Sequence, residues 1–543
     1  MDVVLIFRRI DRKFRFDFTN DQQIITTGEL MRLISLMCLL FIAILSPASA
    51  ADLKLDKIEG AKPKNVVFIL ADDHRYDVMS FVGHPWVETP AMDALAKDGV
   101  YFKNAMVTTS LCSPSRASIL TGQYMHNHGV VDNNVSAKPG TIFFPQYLQA
   151  AGYQTGFFGK WHMGGHSDDP RPGFDKWVSF RGQGHYYPPE HLKNWSLNVD
   201  GKSVPQKGYI TDELTDYAIN WLNESVKPKD KPFFMYLSHK GVHGMFHPAE
   251  RHAGRYKDKA MPIPKTMANT SDNYFNKPMW LKNQRNSWHG VDFAYHQDTD
   301  IEEHYRLYCE ALLSVDESIA RVRKWLDENG YGENTMILYM GDNGFQWGEH
   351  GLIDKRTAYE ASIRVPLVGV CPGLWKPGTV VNEVVANIDI APTILAAAGL
   401  KTPSQMDGQS FLQLAAGNMP ASDWRKNSLY EYYWEFNFPQ TPTTFALRTP
   451  RYKFIQYHGI WDLDELYDLE QDPHEENNLI FEKEQQARIQ KMRADLHAIL
   501  EKSDANRVPF SHKRRMGANL RLKNGAEPAQ FPPQLMREKN AQK

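Results

Sequence analysis

Cysteine is scarce, with four residues in a chain of 543. That is too few for a disulfide framework. No sign of charge dominates either: 62 Lys and Arg face 64 Asp and Glu, for a formal net charge of −2. Without a global basic field, nothing favours nucleic acid or adsorption to an anionic membrane. Long apolar runs are also missing. The one near the start, residues 33–45, is short for a bilayer span. It follows Met31 and Arg32 and leads to Pro47-Ala48-Ser49-Ala50, an A-x-A-like cleavage site. Residues 31–50 therefore read as a secretory signal peptide cut after about Ala50, which predicts a secreted or periplasmic protein with no stable membrane insertion. The polar, mixed residues 1–30 point to Met31 as the true start. Once Cys38 is removed, Cys112, Cys309 and Cys371 remain. The last two could pair or stay reduced. No internal repeat is visible.

What is present is a set of short apolar runs that end in polar residues. Residues 65–71 (NVVFILA) are a continuous apolar run after Asn65, as expected of a strand buried on both faces in a parallel sheet covered by helices. Asp72 and Asp73 follow it. Adjacent carboxylates repel each other, and a metal cation relieves the repulsion; a solvated loop pair is the alternative. Residues 153–158 deliver Lys160 and His162, residues 233–237 deliver His239 and His243, and residues 336–340 deliver Asp342 and Asn343. In open α/β sheets, ligands bind beyond the carboxyl ends of the strands. Four strands that all end in such residues are explained by one site more simply than by four unrelated loops. Residues 209–223 and 302–329 carry helical periodicity. Beyond Gly417 the pattern changes to alternating strands followed by an amphipathic helix over residues 482–502.

The predicted fold is α/β: a large, mostly parallel sheet with helices on both faces, then a smaller C-terminal α+β part with an antiparallel sheet. The expected divisions are residues 1–50, upstream extension and signal peptide; 51–420, catalytic domain; 421–505, C-terminal subdomain; and 506–543, a polar tail. Residues 174–204 look like an excursion over the mouth of the site. Residues 251–297 form an aromatic insert, with Tyr274, Phe275, Trp280, Trp288, His289 and Tyr295. It could face sugar rings or pack on its own small core.

The stretch that organises the chain is Leu111-Cys112-Ser113-Pro114-Ser115-Arg116-Ala117-Ser118-Ile119-Leu120-Thr121-Gly122. Ser113 suits a helix N-cap and Pro114 the first helical position, which would set Cys112 at the mouth of a helix N-terminus, where anions are favoured. Arg116, one turn in, offers a planar donor fork to oxyanions. Cys-x-Pro-Ser-Arg followed by Ala-Ser-Ile-Leu-Thr-Gly resembles the signature of the type I sulfatases, relatives of alkaline phosphatase. The resemblance runs from about Lys64 to about Leu479.

The resemblance implies that Cys112 is oxidised to formylglycine by a sulfatase-maturating enzyme and that its hydrate is the nucleophile. By position, Asp72, Asp73, Asp342 and Asn343 match the family's calcium ligands, with the modified Cys112 adding an oxygen. An all-oxygen set of this kind suits calcium before magnesium. Arg116, Lys160, His162, His243 and Lys355 match the residues around the sulfate and the nucleophile. Of the three histidines in the segment, His243 is preferred to His239 and His247 for its spacing after the strand. The implied chemistry is in-line attack on sulfur, with Asp342 a candidate proton acceptor, His243 and Lys355 assisting the leaving alcohol, and His162 the base that regenerates the aldehyde. The expected function is removal of O-sulfate from a sulfated glycan, with 6-sulfated hexosamine as first guess. The alternatives are a phosphoester or phosphonate-ester hydrolase on the same fold, and a catalytically silent glycan-binding relative.

Overall fold

The computed structural model describes residues 53–164, 167–192, 194–226, 231–285, 300–460 and 462–505. The expected signal peptide, the polar tail, and Trp288, His289 and Tyr295 of the insert lie outside the described residues. Among the described residues, no helix is long and apolar enough to cross a membrane.

The larger sheet is built from β1 (Asn65–Ala71), β2 (Val100–Met106), β3 (Gln154–Lys160), β4 (Lys176–Phe180), β5 (Ser196–Val199), β6 (Lys202–Pro205), β7 (Phe233–Ser238), β8 (Thr335–Gly341), β9 (Leu367–Val370) and β10 (Thr379–Ala386). Their order is β10-β2-β9-β8-β1-β7-β3-β4-β5-β6. The four strands expected to carry the site are neighbours, and all three of their pairings are parallel. Antiparallel pairs flank them: β9 runs against β2 and β8, and β5 against β4 and β6.

The apolar runs are explained by what covers them. Val67 and Ile69 of β1 face one core with the helices Ile210–Ser225 and Ile301–Glu328. Val66, Phe68 and Leu70 face the other, with the helices Phe144–Ala150 and Ile390–Ala397. Both faces are dry, so neither leaves room for a polar alternation. Cys309 and Cys371 belong to these opposite cores and are free thiols. The option of their pairing is therefore closed.

A second sheet, with the order β11-β12-β13-β14, comprises β11 (Ser428–Tyr432), β12 (Thr443–Arg448), β13 (Tyr452–His458) and β14 (Glu465–Asp468). It is antiparallel throughout, and the helix Gln486–Lys502 packs on it through Ile489, Met492, Leu496 and Leu500.

Two expectations about the middle of the chain are refined. Residues 174–204 contain the sheet-edge strands β4 to β6, and residues 181–192 between β4 and β5 are the part that reaches the site, bringing Gln183 to Lys160 and Tyr186 to the His243 carbonyl. In the described part of the insert, Trp280 is buried and packs on Tyr457 at 5.4 Å. That ring belongs to a core, while Phe275 is exposed.

Candidate active site

The register of the central strands brings their ends level. Leu70 pairs with Ser238 and Ala71 with Gly341, while Gly159 also pairs with Ser238. The residues just past these positions therefore share one edge of the sheet. Backbone hydrogen bonds carry the alignment further: Asp72 N–H donates to the Gly241 carbonyl at 2.9 Å and Val242 N–H to the Asp72 carbonyl at 2.7 Å. Asp73 and His162 have φ of 58° and 54°. That left-handed backbone is uncommon for residues with a side chain and recurs where function demands it. At Asp73 it lets the N–H donate to Asp342 Oδ1 at 3.0 Å.

Cys112 comes from a helix rather than from a strand end. It opens the helix Cys112–Thr121, whose ten residues are all buried. The helix begins earlier than expected, with Leu111 at the cap position and Cys112 in the first turn. Ser113 is inside the helix instead of capping it. Its N–H donates to Asn133 Oδ1 at 3.0 Å, and its hydroxyl donates to the His162 carbonyl. Tertiary partners have taken the groups that a local cap would use.

The ionised side chains form a paired cluster. Lys160 contacts Asp72, Lys355 contacts Asp73, and Arg116 contacts Asp342 at 2.8 Å. Arg116 also donates to the Lys160 carbonyl at 2.7 Å and to Ser238 Oγ at 2.6 Å. Cys112 Sγ lies 2.9 Å from Lys355 Nζ and 3.3 Å from Asp72 Oδ1. His243 Nε2 is 3.9 Å from Asp73 Oδ2, and the ligating atoms of Asp72, Cys112 and His243 fall within 4.8 Å of one another. The two rival histidines are elsewhere: His239 is buried against Ser318 at 3.0 Å, and His247 is exposed.

Burial sets most of the electrostatics. Burial and the Asp72 charge push Asp342 up to about 6, against Arg116. Burial also raises Asp73, with Lys355 opposing. Asp72 is held well below the carboxylate range despite its burial, because Lys160, His243 and Arg116 surround it. Burial, reinforced by Asp72, pushes the Cys112 thiol up to about 12. Burial also keeps His162 and His243 in their neutral forms.

The donor set can be tested against a cation. Oxygens of Asp72, Asp73 and Asp342 lie within 4.8 Å of one another. Asn343 donates its amide N–H to Asp73 Oδ1 at 2.6 Å, while its Oδ1 is buried with no hydrogen-bond partner among the described residues. Three converging carboxylates and an orphaned carbonyl oxygen fit a hard divalent cation.

Sequence reasoning left three neighbours without a role. Lys240 is 3% exposed, and its ammonium lies 4.8 Å from the centre of the Tyr186 ring. Gln183 accepts a hydrogen bond from Lys160. Ser238 ties Arg116 to the end of β3. The spacing of Lys240 after β7 was the available signal, but a sequence does not show burial. Tyr186 stacks on Tyr209 at 5.7 Å and Tyr187 is tilted against the same ring at 5.1 Å.

Comparison with known proteins agrees with this arrangement. Residues 64–400 match the sulfatase family model, and residues 348–502 match the model for the C-terminal region of N-sulphoglucosamine sulphohydrolase. The chain is 35% identical over 515 residues to an N-acetylglucosamine-6-O-sulfatase of Bacteroides thetaiotaomicron, an alignment covering 83% of this chain and 88% of that one. A solved structure of a protein with its substrate, D-glucosamine-2-N,6-O-disulfate, matches with a TM-score of 0.74 at 31% identity, covering 82% of this chain and 99% of that one. A phosphonate monoester hydrolase from Silicibacter pomeroyi shares the fold, with a TM-score of 0.68 at 24% identity over 81% of this chain and 96% of that one.

Proposed function

The chain belongs to the sulfatase family, a sulfuric ester hydrolase of the glycan-active type, and from that premise we propose that it is an exported enzyme that removes a 6-O-sulfate from a glucosamine-type sugar. Its nucleophile is Cys112 after conversion to formylglycine, and its metal is calcium. The observation that carries this reading is the position of Cys112, buried in the first turn of its helix and in contact with both Lys355 and Asp72. As a thiol held up to about 12 it stays protonated at neutral pH and is a poor nucleophile. Converted by a maturating enzyme, it supplies a hydrated aldehyde at the same point.

Asp72, Asp73, Asp342 and Asn343 would hold the calcium, which supplies positive charge against the sulfate oxygens. Lys160, Lys355 and Arg116 add fixed positive charge and exclude water from the sulfur. Asp342, whose oxygens lie among those that would hold the calcium, is the candidate acceptor for the nucleophile's proton. His243, with Nε2 3.9 Å from Asp73 Oδ2, is the group placed to protonate the leaving alcohol. It is neutral in the unliganded cluster, and an incoming sulfate favours its charged form. His162, anchored through Ser113, is the base on the far side of Cys112.

The relative that acts on N-acetylglucosamine 6-O-sulfate is the reason for preferring that sugar. The shared fold with a phosphonate hydrolase is the reason to test the alternative directly. A panel of 6-O-sulfated glucosamines, other sulfated sugars, an aryl sulfate and a phenylphosphonate ester separates the readings, with released anion measured by ion chromatography. Sulfate release from the 6-O-sulfated hexosamine is the expected result. Turnover of aryl sulfates with none from any sugar would overturn the glycan assignment, and preference for the phosphonate ester would overturn the sulfatase reading.

A further inference from the structure

In the cluster just described, each carboxylate has a cation and each of three cations has a carboxylate. Lys240 is a fourth cation and has none among the described residues. It leaves β7 two residues past Ser238, and the turn that follows folds it inward until it is 3% exposed. Its one hydrogen bond among the described residues is a long one, 3.5 Å to the Gly244 carbonyl. The other contact is the face of Tyr186, 4.8 Å away. Tyr186 is itself fixed, stacked on Tyr209 and donating its hydroxyl proton to the His243 carbonyl at 2.9 Å. A cation over a ring face recovers part of the lost hydration. It does not replace a counter-ion: burial and the Lys160 charge push the Lys240 ammonium down to about 7, and an anion beside it would favour its charged form.

The surroundings of Lys240 say which way it faces. Lys160, Asp72, Asp73 and Cys112 act on it electrostatically, and it acts in turn on His185, His243 and His247. No carboxylate among the described residues forms a salt bridge with it, and the Lys160 charge opposes its own. An ammonium placed this way is incomplete until an anion arrives between it and the catalytic groups.

We propose that Lys240 is a substrate-binding residue that takes an oxygen of the sulfate undergoing cleavage, with Tyr186 holding the side chain in position. This rests on the sulfatase reading for the identity of the anion, but not for the existence of an anion contact. Lys240 then sets affinity for the sulfate group, whereas chemistry remains with Cys112 and His243.

The test uses the mature enzyme and the variants Lys240→Met and Lys240→Arg. Methionine keeps the length of the chain and removes the charge, so without ligand its thermal midpoint should equal or exceed that of the wild type. Inorganic sulfate should raise the wild-type midpoint, should raise that of Lys240→Met far less, and should act on Lys240→Arg to an intermediate extent. With the preferred sulfated sugar, KM should rise about tenfold or more in Lys240→Met while kcat stays within about threefold. A lowered midpoint with an intact sulfate response would make Lys240 a structural residue and overturn the proposal. A fall in kcat at unchanged KM would overturn it too. If the wild type releases no sulfate from any ester, the functional reading fails, while the inorganic-sulfate comparison still decides the anion contact.

Discussion

At the strand ends, Asp72, Asp73 and Asp342 meet Arg116, Lys160 and Lys355. On the other side of the loop that bears Lys355, Glu360 and Glu475 meet Arg448 and Lys453 against the second sheet. Both clusters are buried and both mix charges of the two signs. They are completed differently. In the second, Lys453 contacts Glu360 at 2.8 Å and Glu475 at 2.7 Å, and donates to the Ala358 carbonyl at 2.8 Å, while Arg448 takes the remaining side of Glu360 at 3.0 Å. The protein itself meets the charge. In the first, among the described residues, the Asn343 carbonyl oxygen has no hydrogen-bond partner and Lys240 no carboxylate, and a thiol contacts both Asp72 and Lys355. The closed cluster anchors the loop, and the open one keeps an orphaned oxygen and an ammonium without a counter-ion.

The comparison is sharpened first by removing acids at the open cluster. Asp72→Ala and Asp342→Ala should each lose bound calcium together with turnover, by about a thousandfold or more. Metal analysis of the purified variants checks this, and full calcium occupancy in either would remove that residue from the ligand set.

The closed cluster should behave in the opposite way. Lys453→Met leaves two buried carboxylates without their shared ammonium, for a loss of about 3–5 kcal/mol of stability. Denaturant unfolding measures it. The folded fraction should keep kcat within a few-fold, since Lys453 reaches Lys355 only through the backbone at Ala358. A large kcat loss at unchanged stability would show that the two clusters are not separate.

The smallest effect concerns pH. Asp342 titrates at about 6 in the metal-free protein, above the usual carboxylate value, so its protonated form competes with the cation. Calcium affinity should be flat well above pH 6 and weaken about tenfold per unit below it, one proton being displaced. Titration calorimetry across pH 5 to about 8 reads this directly, and an affinity independent of pH would contradict it.

Much of this was legible in the sequence for identifiable reasons. The runs that became β1, β3, β7 and β8 are buried on both faces, so composition alone marks them as strands. The polar residues at their ends stood out because apolar runs precede them. The edges were harder to see. The β6 residues Lys202–Pro205 are mostly exposed and make a strand only by pairing with β5. In β10, the register shift between Val381 and Val384 interrupts the alternation that would have identified it. The Ser113 side chain was read as a local cap, but its hydroxyl has a tertiary partner 49 residues away. Lys240 was visible as a lysine after a strand. That it is buried and lacks a counter-ion is a property of the folded chain alone.

The central claim is that Cys112 acts only after conversion, within the open cluster. It is tested by preparing enzyme with graded extents of maturation, measuring the converted fraction by peptide mass analysis over residues 110–116, and plotting the rate of sulfate release against that fraction. The account predicts a straight line through the origin, with Cys112→Ala at zero. Full activity in protein whose Cys112 is an intact thiol would contradict it.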